Sequence, residues 1–238
     1  MEQPIKLDLL FFAAHPDDVE IACSGTLIKH LKMGYKAGII DLTRGELGTR
    51  GSADIRDKEA AASSKILGLT VRENLDLGDG IFENNHETRL KVIEVIRKYR
   101  PAVIFMNAPS DRHPDHGRAG QLESEAYFYC GLPKIVTQYP AWRPKAAYHY
   151  VQDVRLQPDF LVDITAEMDQ KFEALMCYSS QFHDPNSDEP QTSISTPQFL
   201  NFLKARFADF GRPIGAAYAE GFICHRTPGV KDVMKDLV

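Results

Sequence analysis

The chain has 238 residues, 43% of them hydrophobic and 26% charged, with a formal net charge of −5: a globular composition, sufficient for one sizeable core. The acidic balance gives no support to a nucleic-acid partner, and no apolar run is long enough to span a bilayer. Cys23, Cys130, Cys177 and Cys224 form no CxxC pair, which argues against a zinc ribbon or a thioredoxin-like motif and fits reduced, buried thiols. With no signal-peptide pattern at the N-terminus, the expected setting is the cytoplasm, away from membranes.

The first half alternates strand and helix patterns. An apolar run predicts a buried strand over 7–14, then a helix over 19–33 closed by Gly34. A second strand is expected over 35–42, then the loop TRGELGTRGSA, a helix over 55–67 ended by Gly68, and a short strand over 73–77 before the turn GDG. A helix over 87–99, stopped by Pro101, precedes a buried strand over 102–106. Continuous apolar strands separated by helices imply a mostly parallel sheet flanked by helices, an α/β, Rossmann-like core over about the first 130 residues. In the second half, AAYHYVQ and DFLVDIT read as strands, and 166–178 and 197–210 as helices. The polar stretch HDPNSDEPQTSIST (183–196) between those helices reads as a mobile surface loop. With no repeat or low-complexity tail, the expectation is one domain over 1–238, the region from about 131 being a C-terminal α/β elaboration.

Two tetrapeptides carry the chemistry. His15-Pro16-Asp17-Asp18 follows the first strand, and His113-Pro114-Asp115-His116 follows the strand over 102–106. Taken singly, each reads as a turn with a helix cap. Their occurrence as a pair, each at a strand-to-helix junction on the edge where α/β sheets form their sites, points to a metal centre instead. Together they offer three imidazoles and three carboxylates, and catalytic zinc takes three N or O ligands. A His and an Asp three residues apart can aim at one centre, a distant second His can complete the set, and the adjacent Asp17 is left to act as a base. The first junction lacks GxGxxG and GxxxxGK[ST], and its carboxylates would repel a pyrophosphate.

At these residues the sequence resembles the LmbE-like (PIG-L type) zinc-dependent N-acetylglucosamine deacetylases, through HPDD, HPDH, the DLTRGELGTRG loop, SADIRDKEAA and the late YAEGF. Within that family it is most similar to the bacillithiol-biosynthesis branch, which acts on N-acetylglucosaminyl malate. The resemblance implies one Zn2+ per chain on His15, Asp18 and His116, with Asp17 as general base and His113 stabilising transition-state charge, oriented by Asp115. It also implies Arg56 in the active site and a homo-oligomer such as a hexamer. Some members use a C-terminal tyrosine; here Phe199 occupies that neighbourhood and Tyr218 is a weak candidate. A dicarboxylate aglycone calls for guanidinium partners, and Arg56 and Arg112 are the expected substrate contacts. Rival readings are an amidase for another N-acetylglucosamine conjugate and a noncatalytic sugar- or metal-binding protein, which would have no need of Asp17. A two-metal phosphoesterase, which gathers more carboxylates, is a third.

Overall fold

The computed structural model describes residues 5–232 and Met234. The first apolar run forms β1 (Leu9–Ala13), buried at every position, and its alternation divides the interior in two. Leu10, Phe12 and Ala14 pack with Val92, Ile96, Leu122 and Ala126, whereas Leu9, Phe11 and Ala13 pack with Val19, Leu27, Leu67 and Ala174. A strand apolar on both faces can only lie between two helical layers.

The other elements follow as α1 (Asp18–Ala22), α2 (Ser24–Lys32), β2 (Ala37–Asp41), α3 (Ala53–Leu67), β3 (Val71–Asn74), α4 (His86–Tyr99), β4 (Val103–Met106) and α5 (Pro114–Tyr129). Then come β5 (Ala146–Tyr150), β6 (Phe160–Asp163), α6 (Met168–Leu175), α7 (Phe199–Gly211) and β7 (Ala219–Cys224). The strands make one sheet in the order β3-β2-β1-β4-β5-β7-β6. The first five are parallel, and β7 is antiparallel to both β5 and β6. The α/β, mostly parallel architecture is therefore as expected, but its parallel part extends past residue 130 to include β5, and β7, unassigned from sequence, inserts between β5 and β6.

The helix expected over 19–33 is two helices broken at Cys23 (φ −147°, ψ 17°). Its interruption is tertiary. Glu220 of β7 accepts the N–H groups of Gly25 and Thr26 at 2.9 and 2.7 Å, and Lys171 of α6 donates to the carbonyls of Glu20 and Ile21 at 2.8 and 3.2 Å. Gly25 is required there, because a Cβ would lie 2.8 Å from Ile164 and 2.9 Å from Glu220 Oε1. The strand expected over 73–77 instead forms earlier, as β3, where it pairs with β2 on the sheet edge. The 183–196 stretch is tied down. Arg50 donates to Ser180 O, Pro190 O and Ser187 Oγ, Gly51 N–H donates to Glu189, and Ser195 is buried. All four cysteines are free, and no helix among the described residues is long and apolar enough to cross a membrane.

Candidate active site

Because β1 is flanked by β2 on one side and β4 on the other, the chain reverses its winding direction there, and a crevice opens beyond the carboxyl ends of β1 and β4. Both HPD motifs sit at that crevice. His15, Asp17, Asp18, Arg56, Arg112, His113 and His116 all line one cavity of about 320 Å³.

Asp18 lies at the centre. Its Oδ1 is 3.1 Å from His116 Nε2 and accepts from Gln152 Nε2 at 2.6 Å; its Oδ2 accepts from the His15 backbone N–H and from Asn107 Nδ2 at 3.0 and 3.2 Å. His116 Nδ1 bonds Asp111 at 2.6 Å, while His15 Nε2 bonds Asp79 at 3.1 Å and Asp115 at 3.3 Å. A carboxylate on one ring nitrogen holds a proton there and leaves the other nitrogen facing inward. For His116 that inward atom is Nε2, and for His15 it is Nδ1, 3.8 Å from Asp18 Oδ2. Ring nitrogens of His15, His113 and His116 lie within 4.8 Å of one another.

Burial opposes ionisation of Asp18, Asp79, Asp111 and Asp115, but His15 and His116 outweigh it and hold all four below the usual carboxylate range. Burial pushes the two imidazoles down in turn, yet the carboxylates lift His15 to about 10 and His116 to about 9. The cluster thus demands positive charge. A divalent cation between His15, Asp18 and His116 would supply it. The donor set fits a metal.

Asp17 stands apart. It precedes α1 with φ 115°, in the left-handed region a non-glycine residue rarely adopts, and its side chain makes no capping bond. The turn-and-cap reading therefore fails for this residue. Its carboxylate lies 3.2 Å from Arg56 Nη2, and Arg56 also donates to the Pro16 carbonyl. Burial pushes the Asp17 carboxyl up to about 7 against the pull of Arg56, a proton affinity suited to a base working near neutrality. His113 does cap its helix, α5: its Nδ1 accepts the Asp115 N–H at 3.2 Å. That bond leaves the proton on Nε2 as a donor. Burial and the neighbouring His15 and His116 charges lower its pKa, so it is the neutral imidazole that donates.

The sequence agrees with this geometry. Residues 10–127 match the family described as PIG-L, GlcNAc-PI de-N-acetylase. The chain is 31% identical to the diacetylchitobiose deacetylase of Thermococcus kodakarensis over 90% of its own length and 81% of that protein's. The chain belongs to the PIG-L/LmbE-like deacetylase family. It is also similar to proteins with other named reactions: the 4-oxalmesaconate hydratase of Pseudomonas putida (28% identity, 77% of each chain) and the "Probable N-acetyl-alpha-D-glucosaminyl L-malate deacetylase 2" of Bacillus anthracis (26% identity, 73% of this chain and 81% of that one). A solved structure of a conserved protein from Thermus thermophilus superimposes with a TM-score of 0.85 at 38% identity, covering 95% of this chain and 97% of that one.

Within this PIG-L-type pocket, Asp115 and Arg56 make contacts that the sequence did not indicate. The Asp115 carboxylate turns away from His113 to His15, the Gly80 N–H and Arg118, because residue 115 already lies in α5; only its backbone N–H holds His113. Arg56 is buried against Asp17 and donates to the Pro16 carbonyl, with its Nε left without a hydrogen-bond partner among the described residues. Its guanidinium packs under Gly45, whose φ of +66° and missing Cβ permit the approach. Arg112 is half-exposed at the rim and pairs with Asp153. Glu46 serves the loop, accepting the Asp79 and Arg44 N–H groups. Phe199 lines the cavity and Tyr218 does not, so neither brings a phenol hydroxyl to it. Thr192, Ser193 and Ile194 form a wall, which makes the 183–196 stretch part of the site.

Sequence reasoning missed Asp79, Asp111 and Gln152. Asp111 stands two residues before His113, and its proximity to the motif was the available signal. Asp79 lay hidden in a GDG turn and Gln152 beyond β5, with no local signal at either.

Proposed function

We propose that this protein is a zinc-dependent hydrolase that removes the acetyl group from N-acetylglucosaminyl malate, as in bacillithiol biosynthesis, with one Zn2+ per chain on His15, Asp18 and His116. The observation that carries this reading is Asp17. A carboxylate held by Arg56 beside the His-Asp-His donor set, without a capping role, has no use in a binding module.

When bound, zinc polarises the amide carbonyl and acidifies water. The chain's own residues do the rest. Asp17 takes a proton from the attacking water as its oxygen bonds to the acyl carbon. His113 Nε2–H donates to the oxygen that gains negative charge. Asp17 returns its proton to the departing glucosamine nitrogen as the C–N bond breaks, giving acetate and a free amine. Arg56 keeps Asp17 aimed throughout. The malate assignment draws support from Arg112 at the rim, and from the name given to the Bacillus anthracis relative. A neutral chitobiose-type substrate is the second reading, favoured by the Thermococcus kodakarensis relative.

The test measures free amine and acetate released by zinc-loaded protein from N-acetylglucosaminyl malate, N,N'-diacetylchitobiose and N-acetylglucosamine. Strong preference for the malate conjugate is expected. Preference for chitobiose would transfer the assignment to the second reading. Release of neither product from any of them would overturn the deacetylase assignment and favour chemistry of the hydratase kind.

A further inference from the structure

The inward face of α7 carries Phe199, Leu203 and Arg206, spaced i, i+4, i+7, where an amphipathic helix calls for apolar side chains. Leu203 obeys, buried with Phe207 and Tyr178. Arg206 does not. It lines the catalytic cavity, and its Nε and Nη2 are buried without a hydrogen-bond partner among the described residues.

Arg56 and Arg89 each leave only Nε unmet, whereas Arg206 leaves two donors unmet and has a cation–π contact with Phe207 as its side-chain partner among the described residues. Arg97 donates to the carbonyls of Cys130, Leu132 and Ile135, and Arg72 pairs with Asp41 and Glu20. Three carboxylates act on Arg206 through space, those of Asp153, Asp111 and Glu220, and each is bonded elsewhere. Asp153 is held by Arg112. Asp111 is held by His116 and the Asp153 and Val154 N–H groups. Glu220 is held by Lys171, 2.9 Å away, and by the start of α2. Leaving buried charged donors unmet is costly, so a partner is expected from outside the chain. Arg206 lines the same cavity as Arg112, Thr192 and Ser193, a second cation and two hydroxyl side chains suited to an oxyanion.

We propose that Arg206 is the anion receptor of the pocket, taking a carboxylate on the part of the substrate beyond the N-acetylglucosamine ring, with Arg112 as the second cation at the rim. This rests on the deacetylase reading above and makes acidity of the aglycone the basis of selection. Arg206 then binds substrate at a site set by the C-terminal elaboration, apart from the cluster that cleaves the amide.

The experiment is calorimetric titration of L-malate, and separately of inorganic phosphate, into the wild-type protein, Arg206→Met and Arg206→Lys. It is accompanied by melting temperatures and by kcat/KM for N-acetylglucosaminyl malate and N,N'-diacetylchitobiose. The expected result is malate binding weakened on the order of 10- to 100-fold in Arg206→Met, less in Arg206→Lys, with the malate-to-chitobiose kcat/KM ratio falling by a similar factor. The melting temperature should not fall, since Nε and Nη2 make no bond to lose. Equal malate binding in all three proteins would overturn the proposal, as would equal loss on both substrates with a lowered melting temperature. Dependence on Arg206 for phosphate alone would overturn the carboxylate assignment. If neither compound is deacetylated but malate binding still depends on Arg206, the reaction assignment fails and the receptor stands.

Discussion

The two strand-to-helix junctions begin with the same three residues and use them in opposite ways. After β1, the histidine of His15-Pro16-Asp17 faces Asp18 and His116, and the aspartate is strained, uncapped and paired with Arg56. After β4, the histidine of His113-Pro114-Asp115 is the free donor and the aspartate braces His15 across the crevice. The cause is where the helix begins. Pro114 is the first residue of α5, a position suited to its fixed φ and absent N–H, so Asp115 falls on helical backbone and His113 becomes the cap. At the first junction α1 begins only at Asp18, two residues later in the motif, which leaves Asp17 in the turn with a positive φ. A shift of two residues in the helix start gives the matching side chains different surroundings.

That contrast can be broken at several points. The largest effect is expected from Asp17→Asn, which keeps the shape of the turn but removes the base: kcat should fall by on the order of 10²- to 10⁴-fold. Zinc affinity, measured by competition with a chelating dye, should change far less. The counterpart Asp115→Asn should weaken metal retention more than Asp17→Asn does, because it acts through His15; the reverse order would undo the assignment of roles. Next, Arg56→Met leaves Asp17 buried beside Asp18 without its cation. Loss of a partner from such a pair costs about 3–5 kcal/mol, so chemical denaturation should show a clear destabilisation. An unaltered midpoint would mean that Arg56 does not hold the strained turn.

A smaller effect is expected at Asp111→Asn, where His116 loses the carboxylate on Nδ1. Metal affinity should drop by roughly 10- to 100-fold, as for other groups that orient a ligating histidine. The smallest effect is at Glu123, buried beneath the site. Burial pushes its carboxyl up to about 8, the Asn107 N–H opposing, and its Oε1 has no partner. A carboxylic acid whose folded pKa exceeds its unfolded one binds more protons folded than unfolded between those values. Its contribution to stability therefore declines as pH rises from about 4.5 toward 8. Glu123→Gln should flatten that decline and raise the melting temperature at pH 8 relative to wild type, with little change at pH 4.5. An equal shift at both pH values would show that the proton is not involved.

Much of the candidate metal cluster was legible in the chain because it is local: His15 and Asp18, and His113 and His116, are three residues apart, and their strands announce themselves by apolar runs. The groups that orient those ligands were not legible. Asp79 arrives on the turn after β3 and Gln152 after β5, and neither position has a pattern to mark it until the sheet order brings it to β1 and β4. The break at Cys23 was equally hidden, since the apolar spacing over 19–33 suits one helix and only Glu220 and Lys171, nearly two hundred and about one hundred and fifty residues away, replace its lost bonds. Likewise the polar 183–196 stretch looks like free surface until Arg50 and Gly51 bind it.

The sequence by itself determined the α/β class, the two strand ends where the histidines and aspartates gather, and the donor types suited to a metal site, because these depend on residues within one element or one turn. Only the tertiary structure decided which aspartate stands uncapped and which braces a histidine, that Arg56 pairs with Asp17, and that Arg206 lines the cavity with two donors lacking a hydrogen-bond partner among the described residues. Those outcomes depend on where helices start and which strands become neighbours, and burial at that meeting point gives a carboxylate or a guanidinium its role.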